Sequence, residues 1–366
     1  MDKLFFELLQ VAIGNRTSLS ITPTTDDWDN LYSHALQQTL LGVCFYGIQK
    51  LPKEQVVFLT LPLKMQWLAI VVKIQKQNEL LNYRCVELQR ILSKVDFRTY
   101  IMKGQGNAIL YDEKLCFLRQ SGDIDIYLEG GYKKVIDYVN RTFPTKDVNE
   151  LEIHYHCFND VEVEIHYKPF VMDSPKDKIL QSFFKECEEA NFANKLSIPK
   201  TEEHIIVPTL EFNLVHQLVH IHHHLFYEGI GLRQLMDYYF LLLLKTGDSS
   251  TDSINRSKKV IHQLGLDRFS CALMYVLQVV FGLERNKMLW SPSKKDGIFL
   301  LNEIMRSGNF GQLNLQNKDI YQNKWKSFWY IHFKTFRYWR FDHWAWFWSP
   351  IYRIRGFAWR KVNGYK

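Results

Sequence analysis

The stretch RQSGDIDIYLEGG, residues 119–131, places two aspartates two positions apart in an otherwise strand-like run. Strand side chains alternate, so Ile124 and Ile126 turn to one side and Asp123 and Asp125 to the other. Two carboxylates about 4–5 Å apart repel by about 4 kcal/mol at an effective dielectric of about 20. Water on a solvated face screens that repulsion, whereas a bound cation reverses it. On this spacing alone the solvated face is the simpler account.

A second acidic strand shifts the balance. In VEVEIHYK, Val161, Val163 and Ile165 share one side and Glu162, Glu164 and His166 the other. If this strand lies beside the first, three or four carboxylates converge. Glu162 reads as solvent-facing; Glu164, followed by His166, reads as part of a site. Upstream, MKGQGNAIL ends a strand in Lys103-Gly104 and opens a helix. Such a turn aims a cation and backbone N–H groups at one spot, which suits phosphate. Gly-x-Gly alone is also an ordinary tight turn.

The ordered set KG at 103–104, RQSGDIDI at 119–126 and EIH at 164–166 resembles the nucleotidyltransferase fold of the DNA polymerase β type. It is most similar to the bacterial branch known as the uncharacterised nucleotidyltransferase family. The resemblance reaches VHIHHHLFYEGIGLRQLMDYY at 219–239, similar to that branch's helical half of the cleft. One departure is Gln105 after Gly104, where the broad superfamily prefers Gly-Gly or Gly-Ser. The resemblance implies Mg²⁺- or Mn²⁺-dependent transfer of a nucleotide from an NTP, ATP among them, to a hydroxyl or phosphate acceptor. Asp123 and Asp125 would be metal ligands and Glu164 the third ligand or the base. Lys103, Gly104, Arg119 and Ser121 would hold the nucleotide, Arg119 as a fork on phosphate. His166, His220, His224, Arg233 and Asp237 would line the cleft. With no cation bound the carboxylates should repel, so Asp125→Asn is expected to relieve strain without destabilising the fold.

Two rivals differ in what they require. A glycosyltransferase using a DxD metal site on a nucleotide-sugar needs a larger α/β domain before the DxD strand. A catalytically inactive nucleotide-binding module of the same fold is favoured if Glu164 lies far from Asp123. Zinc is not expected at His216, His220, His223 and His224. Gln217 stands where a zinc hydrolase needs glutamate, and no cysteine or nearby carboxylate completes a ligand set. Arg233 and Asp237 also read as an ordinary i, i+4 helix pair.

The elements that must position these residues give an α+β protein, a small mixed-sheet core flanked by N- and C-terminal helical regions. Residues 1–97 read as helical, with Thr24, Thr25 and Asp26 as caps, and LPLKMQWLAIVVKIQKQNELLNYRCVELQRILSKV as one long helix or two. Residues 98–200 form the nucleotidyltransferase core, closing on a hairpin of ELEIHYHCF and VEVEIHYKPF. Residues 201–320 return to helix from TEEHIIVPTLEFNL onward, interrupted by a flexible KTGDSSTDSINRS at 245–257.

Charge sets the last segment apart. The 366-residue chain has 46 basic and 39 acidic residues and a net charge of +7. Ten of the basic residues and a single acid, Asp342, fall between Tyr321 and Lys366, so the body is slightly acidic. This segment, 321–366, interleaves cations with Trp, Phe and Tyr. Packing over the helical domain is the favoured reading, and peripheral contact with an anionic membrane the second. No stable nucleic-acid partner is expected. Six scattered cysteines without a CxxC pair, and an opening MDKLFFELLQVAIGN unlike a secretory leader, point to the cytoplasm.

Overall fold

The computed structural model describes residues 2–244, 251–308 and 324–365. In chain order come α1 (Asp2–Ala12), α2 (Thr25–Gln37), α3 (Leu41–Lys50), α4 (Leu61–Ser93), β1 (Thr99–Met102), α5 (Lys103–Ala108), β2 (Asp123–Leu128), α6 (Gly131–Thr142), β3 (Glu152–His154) and β4 (Glu162–His166). Then follow α7 (Asp177–Glu189), β5 (Ala193–Ser197), β6 (His204–Pro208), α8 (Leu210–Tyr227), α9 (Leu232–Leu244), α10 (Thr251–Gln263), α11 (Asp267–Phe281), α12 (Lys294–Ser307), α13 (Lys324–Thr335) and α14 (His343–Val362).

Only helices precede β1, so the α/β domain that a DxD glycosyltransferase would carry there is absent from the described residues. Thr24 caps α2 through a capping box whose partner is Asp27. The long apolar segment is a single helix of 33 residues, about 50 Å long. Its first half buries Trp67, Val71 and Ile74 in one apolar core. Its second half buries Leu81, Cys85, Leu88 and Leu92 in another. The helix therefore ties the two cores together, and Asn78, buried between them, holds the incoming loop. Its amide donates to the carbonyls of Phe117 and Arg119 at 3.0 and 2.8 Å.

The four-stranded sheet has the order β1-β2-β4-β3, with β2 and β4 parallel and the outer strands antiparallel to them. Ile124, Ile126, Ile153, Val163 and Ile165 bury one face in the second core, leaving the acidic face toward the helices. Gly106 lets α5 press onto β1; a Cβ there would stand 2.4 Å from the Ile101 carbonyl oxygen.

The helical reading of the segment after residue 200 needs correction. His204–Pro208 is a strand, paired antiparallel with β5, and the helix starts only at Leu210. The run HIIV alternates exposed and buried residues, the period of a strand rather than of a helix. Of the expected flexible connection at 245–257, residues 245–250 lie outside the described residues, whereas Thr251 onward forms α10.

The first core joins both ends of the chain, running from Leu4 through Ile304 to Phe341. The Gln10 side chain donates to the carbonyls of Val279 and Val280 at 3.1 and 3.2 Å, and Asn15 to that of Phe281 at 2.6 Å. The C-terminal segment packs in part as expected. Tyr338, Phe341 and Ala345 are buried in the first core, and Trp359 and Tyr365 rest on the second. Among the described residues no helix is long and apolar enough to cross a membrane.

Candidate active site

Strand register builds the site. Met102 pairs with Asp125, Asp125 with Glu164, and Glu164 with His154, one row across all four strands. Lys103 follows Met102 at the end of β1 and takes φ +41°, a conformation costly for a residue with a Cβ. Its ammonium Nζ lies 2.6 Å from Asp125 Oδ1. The α5 helix that follows has only six residues and is kinked at Gly104, so Lys103, rather than a helix dipole, supplies most of the positive potential here.

A cavity of about 490 Å³ opens over this row, a volume suited to a small-molecule ligand. On the sheet side it is lined by Lys103, Gly104, Asp123, Asp125 and Glu164, together with Arg119 and Ser121 from the loop before β2. On the helical side it is lined by His220 and His224 of α8 and by Arg233 and Asp237 of α9. Eleven residues singled out from the sequence thus meet at one cavity. His166 does not line it. It is fully buried behind Asp125, with Nε2 2.9 Å from Asp125 Oδ1 and 3.4 Å from Glu152 Oε2. It positions the aspartate rather than facing a ligand.

Arg119 also departs from its expected part. Its fork is turned onto Asp237, with Nε and Nη2 each donating at 2.8 Å, and Nη1 donates to Ser121 Oγ at 2.6 Å. Both partners are buried, and Tyr111 donates a further bond of 2.7 Å to Asp237. Asp237 is therefore held across the cleft, not only along its own helix. Arg233 donates to the Gln120 carbonyl. Burial and then the adjacent Arg119 charge lower its pKa to about 10. The pair of guanidiniums leaves this wall positive beside the acidic sheet.

The carboxylates are not equivalent. Burial works against the charge of Asp125, but Lys103 and His166 outweigh it and hold its pKa below the usual carboxylate range. Glu164 is pushed up to about 8, first by burial and then by Asp125 and Glu152. Asp123 is raised by burial and by Asp125. Four acids against one lysine leave an excess of negative charge that a divalent cation would neutralise. Carboxylate oxygens are the donors Mg²⁺ and Mn²⁺ take, so the residues present fit such an ion. Among the described residues, two donor groups gather within 4.8 Å: Asp125, Glu164 and His166, and Glu152, His154 and Glu164. Neither includes Asp123, which pairs with Glu162 one step down the strand.

Glu152 and His154 were not picked out from the sequence, although a signal for them exists. The tetrapeptide Glu-Ile-His-Tyr occurs twice, at 152–155 and 164–167. Antiparallel pairing of the two copies sets Glu152 opposite His166 and His154 opposite Glu164. Asn107 and Gln217 were likewise missed; they meet at 2.8 Å and tie α5 to α8. On α8, His220 and His224 face one another through Nε2 at 3.0 Å, and His224 Nδ1 lies 2.6 Å from Glu228 Oε2. A carboxylate is therefore close to this pair, contrary to the sequence reading. His216 points elsewhere, to the Pro169 carbonyl, while His223 joins the cavity wall.

Fold and site together define a nucleotidyltransferase core with a helical half-cleft closing over it. Residues 24–282 match the family described as uncharacterised nucleotidyltransferase, and the chain belongs to that family. Among solved structures, it is similar to an antigenic nucleotidyltransferase-like protein from Paracoccidioides brasiliensis. That likeness has 12% identity and a TM-score of 0.35, and covers 59% of this chain and 95% of the other. No curated protein matches the chain significantly.

Proposed function

We propose that the protein transfers a nucleotide unit from an NTP to a hydroxyl or phosphate acceptor with the help of Mg²⁺ or Mn²⁺. The observation that carries this reading is the row Lys103–Asp125–Glu164 across the sheet, facing a cavity whose far wall holds Arg233 and three histidines. Asp125, Glu164 and Asp123 would hold the ion, which when bound offsets charge on the triphosphate and on the leaving pyrophosphate. Lys103, now on Asp125 at 2.6 Å, would bear on a phosphate oxygen, and a bound ion would supply the charge that Asp125 then needs. Arg233 faces the remaining phosphate charge, and the bulk of α8 keeps water from the reacting end. If Glu164 is the base instead of a ligand, its pKa, raised to about 8, suits it to exchange a proton with the acceptor.

A catalytically inactive nucleotide-binding module is favoured by one feature, the 2.6 Å ion pair that already places a cation on Asp125. Two measurements separate the readings. Thermal shift with each of the four NTPs and Mg²⁺ should stabilise the protein with at least one. Radiolabel carried on that NTP should then appear on a component of a cell lysate. Stabilisation without label transfer supports the binding module; neither effect with any NTP sinks both readings.

A further inference from the structure

The last two helices are packed inside out. On α13 the buried side chains are His332 and Thr335, and on α14 they are Ala345 and Ser349. Many of the large apolar residues point outward, Trp325 being 70% exposed, Phe333 67% and Phe347 59%, while Phe328, Trp346 and Trp348 are half-buried. On α14 the outward set Trp344, Phe347, Ile351 and Ile354 recurs every three to four residues, one continuous stripe. A surface helix normally shows water its polar side; here the order is reversed on two neighbouring helices. Their rings form one surface, with Trp339 and Phe336 both against Trp346, at centroid distances of 5.1 and 5.3 Å.

The exposed charge that these two helices themselves carry has one sign. Residues 324–365 contain one acid, Asp342, and it is buried as the cap of α14, accepting from the Ala345 amide at 2.9 Å. Lys326 and Lys361 are exposed among the apolar residues, as is Arg355, which pairs with Glu150 at 3.3 Å. We propose that the outer face of α13 and α14 docks on an anionic membrane surface, with the tryptophans and isoleucines in the interface and the cations at the headgroups. The helices lie in the membrane plane, since neither is long and apolar enough to cross. A second copy of this face would set cation against cation. Single-stranded nucleic acid would use the aromatic rings but has no use for Ile351, Ile354 and Val362. This proposal stands independently of the chemistry at the cavity.

The test is sedimentation of the full-length protein with vesicles of phosphatidylcholine alone and of an equimolar mixture with phosphatidylglycerol. Binding is expected to the mixed vesicles, weakened by salt, with little binding to the neutral ones. Phe347→Ser with Ile351→Ser should lower the affinity about tenfold or more. Arg360→Gln with Lys361→Gln should lower it about fivefold per charge, and only at low salt. Both variants alter exposed or half-exposed positions, and their far-ultraviolet circular dichroism should match wild type. Wild type left in the supernatant with mixed vesicles overturns the proposal, as does equal binding to neutral ones. A concentration-dependent dimer abolished by the Phe347/Ile351 pair of substitutions, with vesicle binding unchanged, assigns the face to self-association instead. Binding of single-stranded DNA lost in that same variant, without vesicle binding, assigns it to nucleic acid.

Discussion

Asp125 and Glu164 pair across the sheet yet differ in what their charges do for the fold. Asp125 is held ionised by Lys103 and His166, so Asp125→Asn leaves a largely buried lysine without its nearest counter-ion. Such a loss costs about 3 kcal/mol or more. The expectation that this substitution would relieve strain is therefore reversed, because Lys103 already supplies the compensating cation. The relief belongs to Glu164. Its folded-state pKa of about 8 lies above the ordinary value, so the folded protein holds the extra proton. Stability from this group is complete below the unfolded-state pKa and is lost as pH rises through about 8. Glu164→Gln should therefore gain stability over wild type as pH rises through that window, on the order of 1–2 kcal/mol. Urea denaturation across pH in EDTA measures both variants, and an Asp125→Asn more stable than Glu164→Gln would contradict the assignment. Because cation and proton compete for Glu164, stabilisation by Mg²⁺ with NTP should be larger above pH 8 than below about pH 6. A Tm shift independent of pH would remove Glu164 from the ion's ligands.

At the scale of elements, the two halves of the cleft are joined by a few buried polar contacts rather than by apolar packing alone. The Arg119–Asp237 fork links the loop before β2 to α9, and both side chains are almost fully buried. Lysine keeps the charge but not the two parallel bonds. Arg119→Lys should cost about 2–4 kcal/mol, read as a lower urea midpoint with an unchanged slope. A loss of less than about 1 kcal/mol would mean that the cleft closes without this pair. The contact of α5 with β1 is tested separately. In Gly106→Ala the new methyl meets the Ile101 carbonyl at 2.4 Å, and backbone must shift. The expected cost is about 1–3 kcal/mol, with a weaker NTP-induced Tm shift, because Lys103 sits on the same turn. Full stability and an unaltered shift would show that the turn tolerates a side chain.

For the whole molecule, α8 crosses the interior and carries histidines that the fold keeps neutral. Burial lowers His216 to about 3, and lowers His222 to about 4 despite Asp342 nearby. A depressed pKa contributes stability that is complete above the ordinary value of 6.5 and is lost as pH falls toward 4 and 3. The protein should lose several kcal/mol between about pH 6.5 and pH 4 from this source. In His222→Asn the slope of unfolding free energy against pH over that interval should flatten. An unchanged slope would place the acid sensitivity in the carboxylates. Because His222 lies 3.8 Å from Asp342, an imidazolium formed there would be drawn to that carboxylate, which offsets part of this loss.

The sequence by itself determined the strands that carry the acids, because a two-residue period with isoleucine on one side leaves no other way to bury them. It also determined the turn at Lys103-Gly104 and the helical half-cleft, whose residues follow local spacing, while α4 was left as one helix or two and only the structure makes it one. The partners of those residues were decided only by tertiary structure. Nothing near Arg119 in the chain indicates that its fork belongs to Asp237, 118 positions away. Nor does anything near Lys103 fix it on Asp125 rather than on a ligand. The short strand His204–Pro208 runs straight into the apolar pattern of α8 and reads locally as its beginning; the pairing with β5 that makes it a strand is a contact between segments. The outward aromatic face of α13 and α14 has the same origin. Composition shows that aromatic and basic residues alternate there, but only packing decides which side of each helix the body covers. That choice depends on the free energy of a docked interface, which the whole fold sets.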